Sequence, residues 1–241
     1  MFRIIIKEKY EELGAEANRL MRELLQNKAD AVIGLATGSS PLGLYRAMIE
    51  DCQNKLTSYE KVVTFNLDEY IGLPAGHPES YRAFMERNLF SGLNLKPENI
   101  HLPFARDCAD EEACLAYDEL INHYKVDLQV LGIGSNGHIG FNEPKSSFSS
   151  LTHIVELTQR TRLDNQRFFD SLDEVPTHAI TMGIATILQA KKHVLLANGA
   201  NKAQAIYDMI NGPITDEVPA SILQNHPDVV VILDKEAAGK L

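Results

Sequence analysis

Cysteine is scarce in this chain of 241 residues, which has three: Cys52, Cys108 and Cys114. An odd number with no C-x-x-C spacing excludes a disulfide framework and gives no zinc site, so they read as reduced, ordinary thiols. Long apolar runs are lacking too. The N-terminal MFRIIIKEKY has only a short apolar run before charges resume, and no unbroken apolar stretch reaches spanning length, so no membrane partner is expected and a cytoplasmic enzyme fits. Positive charge is in the minority, with 23 Lys and Arg against 33 Asp and Glu and a formal net charge of -10. That balance argues against nonspecific binding to nucleic acid or to an anionic membrane surface, and it requires any phosphate site to be locally positive. Linkers, internal repeats and low-complexity tracts are absent. The expectation is therefore one domain over residues 1–241.

Two common phosphate motifs are also missing or incomplete. Gly38 and Gly43 have the spacing of a P-loop, but Leu44 and Tyr45 stand where Lys and Ser or Thr are needed, which makes a nucleoside triphosphate an unexpected ligand. Gly132, Gly134 and Gly137 satisfy G-x-G-x-x-G, yet Gly140 and Pro144 interrupt the helix that would have to start there to hold a pyrophosphate. No redox cofactor is expected.

What is present is ordinary globular composition, 44% hydrophobic and 23% charged, patterned as alternating strands and helices. Strands are predicted at Phe2 to Ile6, Val32 to Leu35, Val62 to Leu67, Val126 to Ile133, Ala179 to Met182, His193 to Ala197 and Val229 to Leu233. Leu13, Ala17, Leu20, Met21, Leu24 and Leu25 recur on one helical face. Further helices are predicted at Pro41 to Cys52, Tyr81 to Leu89, Glu111 to Tyr124, Gly183 to Ala190 and Lys202 to Ile210. This order implies an α/β fold: a single open, mostly parallel, doubly wound sheet with helices on both faces, Rossmann-like in outline. Gly72 to Pro78 is the clearest turn-rich loop.

Chemistry concentrates at predicted strand ends, where open α/β sheets bind ligands. Leu131 to Pro144, reading LGIGSNGHIGFNEP, sets His138 and Glu143 among glycines after an apolar strand. A lone histidine is more commonly structural, but a carboxylate there changes that weighting, because it can orient the imidazole and leave its other nitrogen free to take a proton. Metal ligation by His138, Glu143 and Asp68 lacks paired-histidine spacing, so no metal is expected. Thr37 to Pro41 (TGSSP) joins a strand to a helix and suits a phosphate, or Ser39 or Ser40 simply caps the helix. Asp68 and Glu69 follow the third strand; an isolated pair is more often solvated or caps the next element, but beside the other strand-end residues at least one of them should face the edge that carries His138. Arg160, Arg162, Arg167 and Lys202 are candidates to complete a phosphate site, with a solvated helix face the better reading for Arg160.

GLATGSSPLGLY, FNLDEYIGLPAGHPESY and LGIGSNGHIGFNEP together closely resemble the glucosamine-6-phosphate deaminase family over nearly the whole chain. The resemblance implies conversion of glucosamine 6-phosphate and water to fructose 6-phosphate and ammonia. By the family pattern His138, supported by Glu143 and Asn136, opens the pyranose ring, and Asp68 moves a proton from C2 to C1. Gly38, Ser39, Ser40, Arg167 and Lys202 match phosphate-binding positions, with Thr37 and Gly137 beside them as substrate-binding residues.

Two departures from the family pattern carry expectations. Asn136 stands where many members have an ionisable aspartate, which implies an altered pH dependence with activity retained. His153 and Val155 occupy positions that are basic in allosteric hexamers of the family, and the sequence ends at Leu241, shortly after its last predicted strand. Hyperbolic kinetics without activation by N-acetylglucosamine 6-phosphate are expected, in a monomer or small homo-oligomer. Related 6-phosphogluconolactonases and a non-catalytic sugar-phosphate sensor are the alternatives.

Overall fold

A computed structural model describes residues 2–166 and 169–241, without the side chains of Arg160 and Asp164. The chain runs β1 (Arg3–Lys7), α1 (Tyr10–Asn27), β2 (Val32–Leu35), α2 (Leu42–Gln53), β3 (Val63–Asn66), β4 (Asp68–Ile71), α3 (Tyr81–Asn88), β5 (Ile100–His101), α4 (Glu111–Tyr124) and β6 (Leu128–Leu131). It continues through β7 (His153–Glu156), α5 (Gln159–Asn165), β8 (His178–Thr181), α6 (Ile184–Ile187), β9 (His193–Ala197), α7 (Ala203–Asn211) and β10 (Val229–Asp234). Among these residues no helix is long and apolar enough to cross a membrane.

Seven strands form one parallel sheet in the order β1-β10-β9-β6-β2-β3-β5. Its strands are buried on both faces, and alternate residues therefore enter different cores. From β10, Val229, Val231 and Leu233 pack with Tyr117 and Ile121 of α4 and Ile206 and Met209 of α7. Val230 and Ile232 pack instead with Leu13, Leu20 and Met21 of α1, Leu44 and Met48 of α2 and Met85 of α3. Two apolar cores on opposite faces are what a doubly wound sheet requires, in agreement with the fold class read from the sequence.

The expected third strand, Val62 to Leu67, and the expected strand Ala179 to Met182 are placed differently from a simple parallel series. β3 stops at Asn66, and a new strand starts at Asp68 in a second, antiparallel sheet of order β4-β8-β7. Leu67 is the junction: its N–H donates to Leu35 O in the parallel sheet at 3.2 Å, and its carbonyl accepts the Met182 N–H at 2.7 Å. The short antiparallel strands pair residue by residue, Asp68 opposite Thr181 and Thr181 opposite His153. The predicted helix Gly183 to Ala190 shortens to α6, and the start of the predicted helix at Lys202 is a 3-10 turn, Ala200–Lys202, leading into α7.

Candidate active site

Strands β2, β6 and β9 are consecutive in the parallel sheet, so the loops that leave their carboxyl ends share one edge. The first is Ala36 to Pro41. Gly38 takes φ +99° with open space where a Cβ would stand, so its backbone conformation rather than crowding calls for glycine. Tyr10 reaches over from α1, its hydroxyl donating to Ser39 O at 2.6 Å and accepting the Gly43 N–H at 3.2 Å. No side chain caps α2, so the simple capping reading of Ser39 and Ser40 fails and the helix N-terminus stays open to an anion.

The loop after β9 meets this one, with Ser40 Oγ 3.4 Å from Asn198 Oδ1. Asp234, at the end of β10, holds it in place by accepting the Gly199 N–H at 2.9 Å and the Ala237 N–H at 2.7 Å. Lys202 closes the turn that follows, half-buried and on the same edge. Of the cationic candidates, Arg162 turns its guanidinium to the carbonyls of Leu172 and Val175 at 2.8 and 3.1 Å. Arg167 lies outside the described residues.

Between these two loops comes the segment after β6. Gly137 adopts φ +85°, and its carbonyl accepts the Ala220 N–H at 2.9 Å. His138 sets Nδ1 3.5 Å from Glu143 Oε1, an ion-pair distance longer than a formed hydrogen bond. Asn136 binds both partners: its Nδ2 donates to Glu143 Oε2 at 2.6 Å, and its Oδ1 accepts the His138 N–H at 3.3 Å. Thr161 of α5 donates to Glu143 Oε1 at 2.9 Å. Burial raises the Glu143 pKa, but His138, Asn136 and Thr161 together outweigh it and hold the carboxyl at about 2.

Asp68 enters from β4. Gly140, in the loop after β6, takes φ +57°, and a Cβ there would lie 3.6 Å from Asp68 Oδ2 and 3.1 Å from Thr181 Oγ1. The expected convergence of Asp68 with the histidine loop is therefore present, from a strand of the second sheet. Burial, reinforced by neighbouring Glu69, pushes Asp68 up to about 8. Glu69 has a different task, accepting the N–H groups of Tyr70, Tyr81 and Arg82, each at 2.8 Å, and so fastening the start of α3. Tyr81, at that start, sets its hydroxyl 3.5 Å from the Tyr70 hydroxyl and stacks on Phe141 with ring centroids 6.0 Å apart. Phe169 meets Tyr70 edge-on and stacks with His77 of the turn-rich loop at 5.9 Å.

The geometry thus brings Thr37, Gly38, Ser39, Ser40, Asp68, Asn136, Gly137, His138, Glu143 and Lys202 to one edge formed by adjoining loops. A cavity of about 530 Å³ lined by Cys114, Thr152, His153 and His178 holds none of them. Tyr10 and Thr161 are additions that the sequence reading missed. Thr158 before QRTR is a recognisable N-cap signal for α5, but no local pattern marks the hydroxyl contact that Thr161 makes. Chemically, the site offers an anion cradle, an imidazole held beside a carboxylate, and a second carboxyl that burial makes basic. Such a set suits proton transfers on a phosphorylated small molecule.

Residues 7–232 match the family described as glucosamine-6-phosphate isomerases/6-phosphogluconolactonase. A glucosamine-6-phosphate deaminase of Clostridium botulinum (strain Alaska E43 / Type E3) is 51% identical over 240 residues, 99% of this chain and 96% of that protein. One of Thermoanaerobacter pseudethanolicus is 50% identical over 98% of this chain and 94% of its own length. The solved structure of a monomeric glucosamine-6-phosphate deaminase superposes with a TM-score of 0.95 at 42% identity, over 99% of this chain and 100% of that one. A 6-phosphogluconolactonase from Trypanosoma cruzi, at TM-score 0.81 and 21% identity, shares the fold.

Proposed function

We propose that this chain, which belongs to the glucosamine-6-phosphate isomerase/6-phosphogluconolactonase family, acts as a glucosamine-6-phosphate deaminase, converting glucosamine 6-phosphate and water to fructose 6-phosphate and ammonia. The observation that carries the residue-level reading is the buried carboxyl of Asp68 beside the loop that holds the His138–Glu143 pair.

In this reading the 6-phosphate is a nonreacting handle, held by the Thr37 to Ser40 loop with Lys202, and its binding energy positions C1 and C2. Gly137 borders the substrate from the neighbouring loop. His138 takes the proton of the anomeric hydroxyl as the C1–O5 bond breaks and delivers it to O5, giving the open-chain aldehyde. Asp68 then removes the C2 proton, and the electron pair shifts toward O1, which takes a proton from the C2 ammonium, to make an enol bearing the C2 amine. Returning that proton to C1 yields the C2 imine, which water hydrolyses to the ketone and ammonia. Atoms and charge balance with no redox cofactor, and the reaction is an isomerising deamination that consumes water. Glu143 and Asn136 orient His138, and Asn136 does so as a neutral donor.

We assign the activity to a monomer acting on a cytoplasmic sugar phosphate. The test is ammonia release from glucosamine 6-phosphate by the purified protein, with fructose 6-phosphate followed by a coupled assay. Stoichiometric formation of both products is expected. Binding without ammonia release would defeat the proposal in favour of a sensor, and release of acid alone from a sugar lactone would favour the lactonase chemistry.

A further inference from the structure

Thr161 approaches the Glu143 carboxylate from α5, an element outside the three motif loops. The helix starts at Thr158, whose Oγ1 accepts the Thr161 N–H at 3.1 Å. The hydroxyls of Thr158 and Thr161 lie 2.9 Å apart, and Thr161 Oγ1 lies 2.9 Å from Glu143 Oε1. An ionised carboxylate only accepts, so the Thr161 hydroxyl donates to Glu143. With its one proton committed there, it accepts from Thr158. The result is a directed chain from Thr158 through Thr161 to Oε1. That same oxygen faces His138 Nδ1 at 3.5 Å, while Oε2 is engaged by Asn136 at 2.6 Å.

We propose that Thr161 is a positioning residue for the proton-transfer step: its hydroxyl draws Glu143 Oε1 toward α5 and keeps it short of a formed hydrogen bond with His138, so that the imidazole is oriented by the carboxylate without being locked into a closed ion pair with it. The inference rests on the reading of His138 and Glu143 as an acid–base pair. Without the Thr161 donor, Oε1 is free to close on Nδ1 and keeps more of its charge, and both changes favour the imidazolium.

Among the described residues, the neighbouring cations have other partners. His138 is the ionisable side chain set against Glu143 from its own loop, and Asn136 and Thr161 are neutral. Arg162 of α5 is bonded to the carbonyls of Leu172 and Val175, and Lys145 lies 3.8 Å from Glu217. Asp68, from β4, lies beside Gly140 in the same loop.

Thr161→Val removes the hydroxyl, keeps the side-chain shape and retains the N–H that Thr158 accepts, while Thr161→Ser restores the donor. The measurement is the pH titration of the His138 ring by NMR in the substrate-free full chain, alongside kcat and KM for glucosamine 6-phosphate. The Val variant should raise the His138 midpoint by about half a pH unit or more. It should lower kcat about tenfold, while KM changes less than about twofold. The Ser variant should return all of these to wild type. Thr161→Ala loses the same donor with less bulk and carries the same expectation should the Val chain not fold. A midpoint unchanged or lowered in the Val or Ala variant overturns the inference, as does a Ser variant that behaves like Val. The titration needs no turnover. An unchanged midpoint in a chain that deaminates the substrate defeats the role of Thr161 alone, whereas a shifted midpoint in a chain that does not defeats the proposed reaction alone.

Discussion

The two sheets use similar residues for different work. In the parallel sheet, β2, β6 and β9 have paired neighbours on both sides and apolar cores on both faces, so the loops that leave them start from fixed backbone. The antiparallel sheet is smaller, its faces closed by Tyr70, Phe141, Leu157 and Ala179 on one side and Ile71, Ala105, Cys114 and Ile180 on the other. What it adds is a seam. By turning the chain out of the first sheet at Leu67, it sets Asp68 in buried space beside the histidine loop and hands Glu69 to the N-terminus of α3. Adjacent carboxylates thus diverge because one receives backbone donors and the other receives chiefly desolvation. In the proposed reaction the rigid sheet carries the loop that holds the phosphate, and the seam between sheets carries the base.

The division breaks most severely at Asp68. Asp68→Asn should lower kcat by about 10³- to 10⁴-fold with sugar-phosphate binding largely intact, and a normal rate would remove Asp68 from the reaction. Because burial raises its carboxyl to about 8, kcat/KM should climb with pH until about 8, as the base must be ionised. The substrate ammonium favours that ionisation, so the acid limb of kcat should lie lower than that of kcat/KM.

Stability gives the opposite slope. The unfolded aspartyl group loses its proton near about 3.9, whereas the folded one keeps it to about 8. The favourable contribution of the bound proton is therefore full below the unfolded value and is lost as pH rises through that window. Asp68→Asn removes this dependence, so its melting temperature should exceed that of the wild type by more at pH 8 than at pH 5. Thermal melts at the two values check this, and parallel curves would contradict it.

Glu69→Gln separates the neighbours. The amide group leaves one acceptor oxygen for N–H groups that both carboxylate oxygens now serve, and the loss should be about 1–3 kcal/mol in denaturant unfolding, with far less effect on kcat than Asp68→Asn has. Equal losses in rate would mean that the two acids work as a unit. A subtler change is Asn136→Asp, which sets a second carboxyl against Glu143 where Nδ2 now donates at 2.6 Å. Two such groups cannot both ionise freely, so one binds a proton at higher pH than an ordinary carboxyl. The kcat profile should gain an ionisation, with activity at the optimum lowered about tenfold or less, and a superimposable profile would contradict this account.

The parallel sheet was largely legible in the sequence because buried parallel strands read as apolar runs between helical periodicities. Val32 to Leu35, His193 to Ala197 and Glu111 to Tyr124 have the predicted bounds. Of the second sheet the strand at Ala179 to Met182 was read, but its two partners and their separate antiparallel pairing were not, for reasons visible at particular residues. Val62 to Leu67 runs straight into Asp68 with no glycine or proline at the turn, and the break at Leu67 depends on hydrogen bonds to Leu35 and Met182, which are distant in sequence. His153–Glu156 is four residues long and partly exposed, too short for a period to declare itself. In the site, the motif loops announced Asp68, His138 and Glu143 through residue type and position. Tyr10 and Thr161 were hidden because each acts through one hydroxyl brought from a different element, which only tertiary packing can supply.

Tyr10 offers the gentlest way to sharpen the comparison. Its hydroxyl joins Ser39 O to the Gly43 N–H, and so stiffens the loop after β2, proposed to hold the phosphate, from the side of α1 without approaching the seam where Asp68 lies. Tyr10→Phe keeps the ring and deletes both bonds, a loss of about 1 kcal/mol. If the parallel sheet handles binding and the seam handles chemistry, KM for glucosamine 6-phosphate should rise about fivefold while kcat stays within about twofold. Steady-state kinetics decide it: a kcat that falls as far as KM rises would show that the order of the phosphate loop is transmitted to the base, and that the two sheets act on the substrate as one device.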